Sequence, residues 1–306
     1  MDLAESYRIA GRLREAGLAF EQAWSRLTSL GRDETQTAGT LLNNWALTLY
    51  LLGRPREAER LFRRAIAISN SGENEESVSP MLLINNARAL RDLGRLEEAA
   101  AQAERGYARA EQQGDQMIVT QSLLLRSTIY RMLGNLARAS ETLSEAEIQC
   151  RRSRGGASIL FASITSERGL IAQAGGDLEK ALALTNEAAS LTEASAKAGR
   201  QGSEFVPRLL VRRSDIQLAL HRPRDAAADA ARALTILQQS AQPGTFSSYL
   251  GSAHLALGRA LQTQGKHDDA RAAFRAAAEH FENALGPDHP DTRRARQLIG
   301  SGVSDR

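Results

Sequence analysis

The chain carries a single cysteine, Cys150, in 306 residues. No intrachain disulfide can form, so nothing requires an oxidising compartment. Cys150 lies between Gln149 and Arg151, late in an expected helix. With no second thiol to resolve it, a structural or surface role is expected rather than a redox one. Aromatic residues make up 5% of the chain and there are seven prolines. With Ala, Leu, Arg and Glu dominant, this composition favours helices and argues against a sheet protein. Lysine occurs only at Lys180, Lys197 and Lys266; the arginine bias points to a GC-rich bacterial genome. A charge excess is also missing. Against 39 basic residues stand 36 acidic ones, so neither nucleic acid nor a membrane surface is implied as a partner. No apolar run approaches the ~20 residues of a membrane span. Residues Met1 to Glu5 lack a basic region followed by an apolar core, so a secretory leader is not expected and a cytoplasmic location is.

Catalytic signals are missing as well. The histidines are His221, His254, His267, His280 and His289, and no pair has the spacing of a helical metal site. There is no P-loop and no nucleophile elbow. Gly155-Gly156 and Gly175-Gly176 flank helix ends rather than joining a strand to a helix, which disfavours phosphate binding. The basic stretch Arg151-Arg152-Ser153-Arg154 is expected as a solvated loop. A non-enzymatic protein without cofactor or metal is expected.

What the chain does have is a repeated phrase. Gly53-Arg54-Pro55-Arg56-Glu57-Ala58 returns as Gly94-Arg95-Leu96-Glu97-Glu98-Ala99. The same pattern runs from Gly11 to Ala16, Gly134 to Ala139, Gly176 to Ala181, His221 to Ala226 and Gly265 to Ala270. The turn residues are 42, 41, 40, 42, 45 and 44 positions apart. A regular period of this size means stacked supersecondary units, each too small to bury its own apolar face.

Three columns of small residues keep fixed offsets from the turn residue. Seven positions before it stand Ala4, Ala46, Ala87, Ser127, Gly169, Ser214 and Gly258. Five after it stands alanine in every copy. Twelve after it stand Ala23, Ala65, Gly106, Ala146, Ala188, Ala233 and Ala277. Helices approach closely only where side chains are short, and a larger residue there would cost ~1–3 kcal/mol. Large apolar residues lie between the columns: Leu42, Leu83, Leu123 and Leu210 before the turns, and Phe20, Phe62, Leu143 and Phe274 after them. Each unit therefore reads as helix A, a tight turn, helix B and a polar connection.

Small residue, turn glycine, alanine and small residue at these offsets resemble the tetratricopeptide repeat (TPR). The TPR unit has 34 residues, and the longer units here resemble those of kinesin light chain, of related polarity adaptors and of bacterial Rap-type peptide sensors. The segment Ala284-Leu285-Gly286-Pro287-Asp288-His289-Pro290-Asp291-Thr292 is similar to the connectors of kinesin-light-chain-like repeats. The resemblance covers nearly the whole chain. It implies an all-α, right-handed superhelical solenoid of about seven antiparallel helix pairs closed by a capping helix. As one solenoid over 1–300, its units fall near 1–34, 35–76, 77–114, 115–156, 157–202, 203–244 and 245–286. A cap at 288–299 and a frayed tail at 301–306 follow. Two departures stand out. Leucine mostly replaces the early aromatic of helix A, and His221 replaces a turn glycine.

The resemblance also implies where a ligand would lie. In TPR arrays the A helices line a concave groove, through positions thirteen, ten, nine, six and three before the turn. Asn44 and Asn85 stand nine before it, where the family often bonds the backbone of an extended ligand, and an Asn side chain supplies both donor and acceptor. Arg88, Arg91 and Arg131 lie nearby, Arg212 follows in a later unit, and planar guanidinium groups suit carboxylates. These residues form the expected peptide-binding set, for a peptide or helix with acidic groups. Alternatively, they bond neighbouring A helices or face water. The lysines of the chaperone-tail clamp are absent, so that ligand is not expected. The resulting function is a protein-interaction scaffold. Its rival is the sensory or regulatory part of a larger bacterial Ser/Thr kinase, transcription regulator or peptide-pheromone receptor. The first A helix has room for only ten residues before Gly11, and Leu3 and Tyr7 are thus expected to be left uncovered, favouring weak homodimerisation through this edge.

Overall fold

The computed structural model describes residues 2–70, 78–152, 158–197, 205–241 and 244–300. The unit ends expected near 76, 156 and 202, and the tail 301–306, lie outside the described residues. All regular structure among the described residues is helical. The chain divides into two compact units, residues 1–167 and 168–306.

The first unit holds α1 (Asp2–Ile9), α2 (Leu13–Ser29), α3 (Gln36–Leu51), α4 (Pro55–Asn70), α5 (Pro80–Asp92), α6 (Leu96–Gln113), α7 (Gln116–Met132) and α8 (Leu136–Arg152). α9 (Ser158–Ala174) begins in it and ends in the second. The second unit continues with α10 (Leu178–Lys197), α11 (Val206–Ala219), α12 (Pro223–Ser240), α13 (Ser248–Thr263), α14 (His267–Ala284) and α15 (Pro290–Gly300). Odd-numbered helices up to α13 are the A helices and even-numbered ones the B helices, and α15 packs on α14 through the fully buried Ala295. Arg151 and Arg152, read as loop, are the last residues of α8, where Arg151 pairs with Glu147 one turn back at 2.7 Å.

The repeated phrase has one local cause. At the second turn the Gly53 N–H donates to the Tyr50 carbonyl at 2.9 Å and the Arg54 N–H to the Leu49 carbonyl at 2.9 Å. This pair of bonds ends helix A and requires left-handed backbone at the turn residue, which a residue without Cβ adopts freely. Gly53 has φ 74° and the other turn glycines match it. His221 takes the same conformation at φ 58°, and its turn closes with the same two bonds, from His221 to Leu218 and from Arg222 to Gln217. Side chains start the A helices: Thr35 accepts from the Ala38 N–H at 3.3 Å, Ser79 from Leu82 at 3.2 Å, and Asp115 from Met117 and Ile118 at 3.1 and 3.0 Å.

The small columns mark where helices A and B cross within a pair. Ser127 and Ser214, seven before the turn, each donate a hydroxyl hydrogen bond at 2.8 Å to the carbonyl of the alanine five after it, Ala139 or Ala226. At Gly258 an added Cβ would lie 2.5 Å from the Phe274 ring and 3.2 Å from the Ala270 carbonyl. At Gly106, in the third column, it would meet Ile84 at 2.7 Å. Phe20, Phe62, Leu42, Leu83, Leu123 and Leu143 fill the first unit's interior, and Leu210, Phe274 and Phe281 that of the second; all are buried. Each such side chain stabilises by roughly 1.5–3 kcal/mol.

Candidate functional site

The expected ligand residues of the first unit lie on α3, α5 and α7, and the structure joins most of them. Asn85 is 1% exposed. Its Oδ1 accepts from Arg88 Nη1 at 3.1 Å, and its Nδ2 donates to Asn43 Oδ1 at 3.5 Å. Asn43 Nδ2 donates to Asn44 Oδ1 at 3.1 Å. The other arm of Arg88, Nη2, donates to Gln121 Oε1 at 2.8 Å. One polar track thus runs from Asn44 through Asn43, Asn85 and Arg88 to Gln121, crossing three successive A helices.

A second set lies three positions before the turns. Arg91 Nη2 donates to the Tyr50 hydroxyl at 2.9 Å and Nε to Asp92 Oδ1 at 2.8 Å. Burial opposes the Arg91 charge, but Asp92 and Tyr50 outweigh it and raise its pKa above the ordinary guanidinium value. Arg131 Nε donates to Glu167 Oε1 at 2.6 Å, and the Glu167 side chain is only 4% exposed. Arg212 lies on α11 in the second unit, where it has an interaction of its own. The same unit holds a comparable pair, Arg259 Nη1 to Asp215 Oδ1 at 2.6 Å, from residues six before their turns.

Bonding between neighbouring A helices, the alternative left open by the sequence, is therefore present at Asn85, Arg88, Arg91 and Arg131. Asn43, Tyr50, Gln121 and Glu167 complete the tracks and were not in the expected set. Their signal was available: each stands ten, three, thirteen or nine before its turn, at offsets already tied to the groove.

Chemically, the tracks offer amide donors, amide acceptors and guanidinium groups. They can recognise a ligand, and they contain no nucleophile paired with a base. Among the described residues no group of three or more His, Cys, Asp or Glu could hold a metal ion. Cys150 is buried, and that burial raises its thiol pKa and so lowers its reactivity. No helix of the described residues is long and apolar enough to cross a membrane.

Tetratricopeptide repeat family models match residues 39–71, 80–105 and 249–302. The first two matches contain Asn44, Asn85, Arg88 and Arg91. The chain is a tetratricopeptide repeat protein. Its TPR fold is shared with solved structures of low identity. A TPR protein from Parabacteroides merdae is 14% identical with TM-score 0.51, over 99% of this chain and 97% of that one. NprR in complex with its cognate peptide NprX is 12% identical with TM-score 0.69, over 95% and 84%. A STAND signal-transduction ATPase with a TPR sensor, from Pyrococcus horikoshii, is 13% identical with TM-score 0.59, over 90% of this chain and 39% of that one. Among curated proteins none matches this chain.

Proposed function

We propose that the A-helix face of the first unit binds an extended peptide carrying acidic groups, and that the protein is a non-enzymatic interaction scaffold of the bacterial cytoplasm. The observation that carries this reading is the polar track from Asn44 to Gln121, which sets amide and guanidinium groups in a row across α3, α5 and α7. A peptide backbone needs donors and acceptors in alternation, and carboxamides supply both. The 3.5 Å bond between Asn85 and Asn43 is the longest in the track, so a ligand amide can replace it at small cost. Asn44 and Arg88 are the first contacts, Asn85 is reached once its bond to Asn43 opens, Arg91 and Arg131 follow, and Arg212 serves in the second unit. The NprR structure, with its bound cognate peptide, supports a peptide ligand for this fold.

The test is selection from a displayed library of random peptides. Peptides retained by the protein are expected to be enriched in Asp and Glu, and to bind the variant Asn85→Ala/Arg88→Ala at least tenfold more weakly. Equal binding by that variant rejects the site, and selection without acidic enrichment rejects the charge assignment.

A second reading makes the chain the sensory or regulatory portion of a larger bacterial Ser/Thr kinase, transcription regulator or peptide-pheromone receptor. The STAND protein, of which this chain spans 39%, supports it. An in-frame catalytic or DNA-binding domain in the flanking DNA selects it. Self-association through the first helix pair rests on Leu3, Ile9, Leu18 and Leu30, which are 61%, 55%, 47% and 61% exposed.

A further inference from the structure

Two B helices of the first unit sort their charge by face. On α4 the residues open to solvent include Arg56, Arg60, Arg63 and Ala67, spaced four, three and four apart along one stripe. The two glutamates of α4 point elsewhere. Glu57 is paired with Arg54 at 2.6 Å, and Glu59, 7% exposed, accepts from Arg95 at 3.0 Å. Arg56, Arg60 and Arg63 make no ion pair among the described residues. On α6 the open stripe holds Glu97, Ala101, Glu104, Ala108 and Glu111, and its charges are all negative. The arginines of α6 lie off that stripe, and Arg109 donates to the Val78 carbonyl at 2.6 Å.

We propose that these stripes are the two halves of one self-complementary interface, in which α4 of one copy lies parallel to α6 of a second copy and against it. The spacing supports this occupant. Arg56 and Arg63 are seven residues apart, as are Glu97 and Glu104, and Glu104 and Glu111. Each interval rises about 10 Å along its helix, so arginines and glutamates stay in step. Ala101 and Ala108 leave short side chains between the glutamates, where the Arg60 stem can lie. Because one chain carries both stripes, a single two-fold axis forms two equivalent seams. The Arg95–Glu59 bond ties the start of α6 to α4 and keeps the stripes at fixed separation. Exposed ion pairs are individually weak and screened by salt. The dimer is therefore weak and salt-sensitive.

Sedimentation velocity on the full chain tests this. The expected result is a monomer–dimer equilibrium that weakens at least tenfold between about 50 and about 500 mM salt. Arg56→Glu/Arg60→Glu/Arg63→Glu and Glu97→Arg/Glu111→Arg should each be monomeric alone and form a one-to-one dimer when mixed. The second variant leaves Glu104 in place, because Glu104 also pairs with Arg126 at 3.1 Å. A monomer at every concentration and salt overturns the proposal, as does failure of the two variants to rescue each other. A dimer that survives high salt and both charge reversals, but is lost in Leu3→Ser/Leu18→Ser, also overturns it and assigns association to the first helix pair.

Discussion

The Ser127 hydroxyl donates to the Ala139 carbonyl at 2.8 Å, joining helix A to helix B of one pair where they cross. Both residues are buried. The second unit repeats the contact between Ser214 and Ala226, and in other units Gly169 or Gly258 stands where the serine would be. A hydroxyl fits at this crossing because the carbonyl beneath it is an acceptor. Ser127→Ala is expected to cost about 1 kcal/mol, the net worth of one hydrogen bond, read as a lower urea midpoint. Ser127→Val should cost more, because its extra methyl groups must push the helices apart.

Gly258→Ala is expected to destabilise the second unit by roughly 1–3 kcal/mol, since its Cβ would sit 2.5 Å from the Phe274 ring. The double variant Gly258→Ala/Phe274→Leu should recover part of the loss. Thermal melts of the two variants check this, and additive losses would show that the ring is not the obstacle.

His221→Gly is expected to stabilise. His221 holds φ 58° at a position where the other units place glycine. Left-handed backbone costs a residue with Cβ roughly 1–2 kcal/mol, partly offset by the greater freedom of glycine when unfolded. A net gain of about 0.5–1 kcal/mol follows, seen as a higher melting temperature. The reverse change, Gly53→His, should lower it.

Acid should weaken the second unit. His254 and His280 stack at 5.7 Å between centroids, and the His280 Nδ1 accepts from the Ser247 N–H at 3.4 Å. Burial, with His280 beside it, lowers the His254 pKa from 6.5 to about 4, and burial lowers that of His280 as well. The unfolded chain then binds more protons than the folded one between these values. Stability is complete above about 6.5 and is lost as pH falls toward 4. After discounting for partial exposure the loss is on the order of 1–2 kcal/mol. Denaturant titrations at pH 7.5 and 4.5 measure it, and His254→Leu should flatten the difference.

Arg131→Ala is expected to destabilise the first unit by roughly 3–5 kcal/mol, because it leaves the Glu167 carboxylate buried without its partner. Arg131→Met/Glu167→Leu should restore most of that loss. A binding assay on the single variant therefore needs a melt beside it, so that loss of ligand affinity is separated from loss of fold.

The scaffold was legible from particular residues. Gly53 marked its turn because one left-handed residue suffices to close helix A. Ala58 and Ala65 marked contacts because the permitted side-chain size is read directly from the residue type. Reading ran out where a neighbour decides. α5 spans 13 residues, shorter than the other A helices suggest, because Ser79 caps a helix that begins at Pro80. His254 stacks on His280, a contact that neither residue's type announces. Arg91 and Arg131 stood at ligand positions in the sequence, yet each already holds a carboxylate from its own chain.

The sequence by itself determined the repeat: the period, the left-handed turns and the small columns each depend on one residue meeting a local steric demand. Tertiary structure alone decided the chemistry of the A-helix face and the outward sorting of charge on α4 and α6. Asn85 and Asn43, Arg88 and Gln121, Arg91 and Tyr50, and Arg131 and Glu167 are separated by 42, 33, 41 and 36 residues. These intervals follow no single offset, so partner choice depends on which side chains reach across when the helices stack. Long polar side chains span several ångströms and can select among neighbours, whereas a missing Cβ or a left-handed turn leaves no such choice.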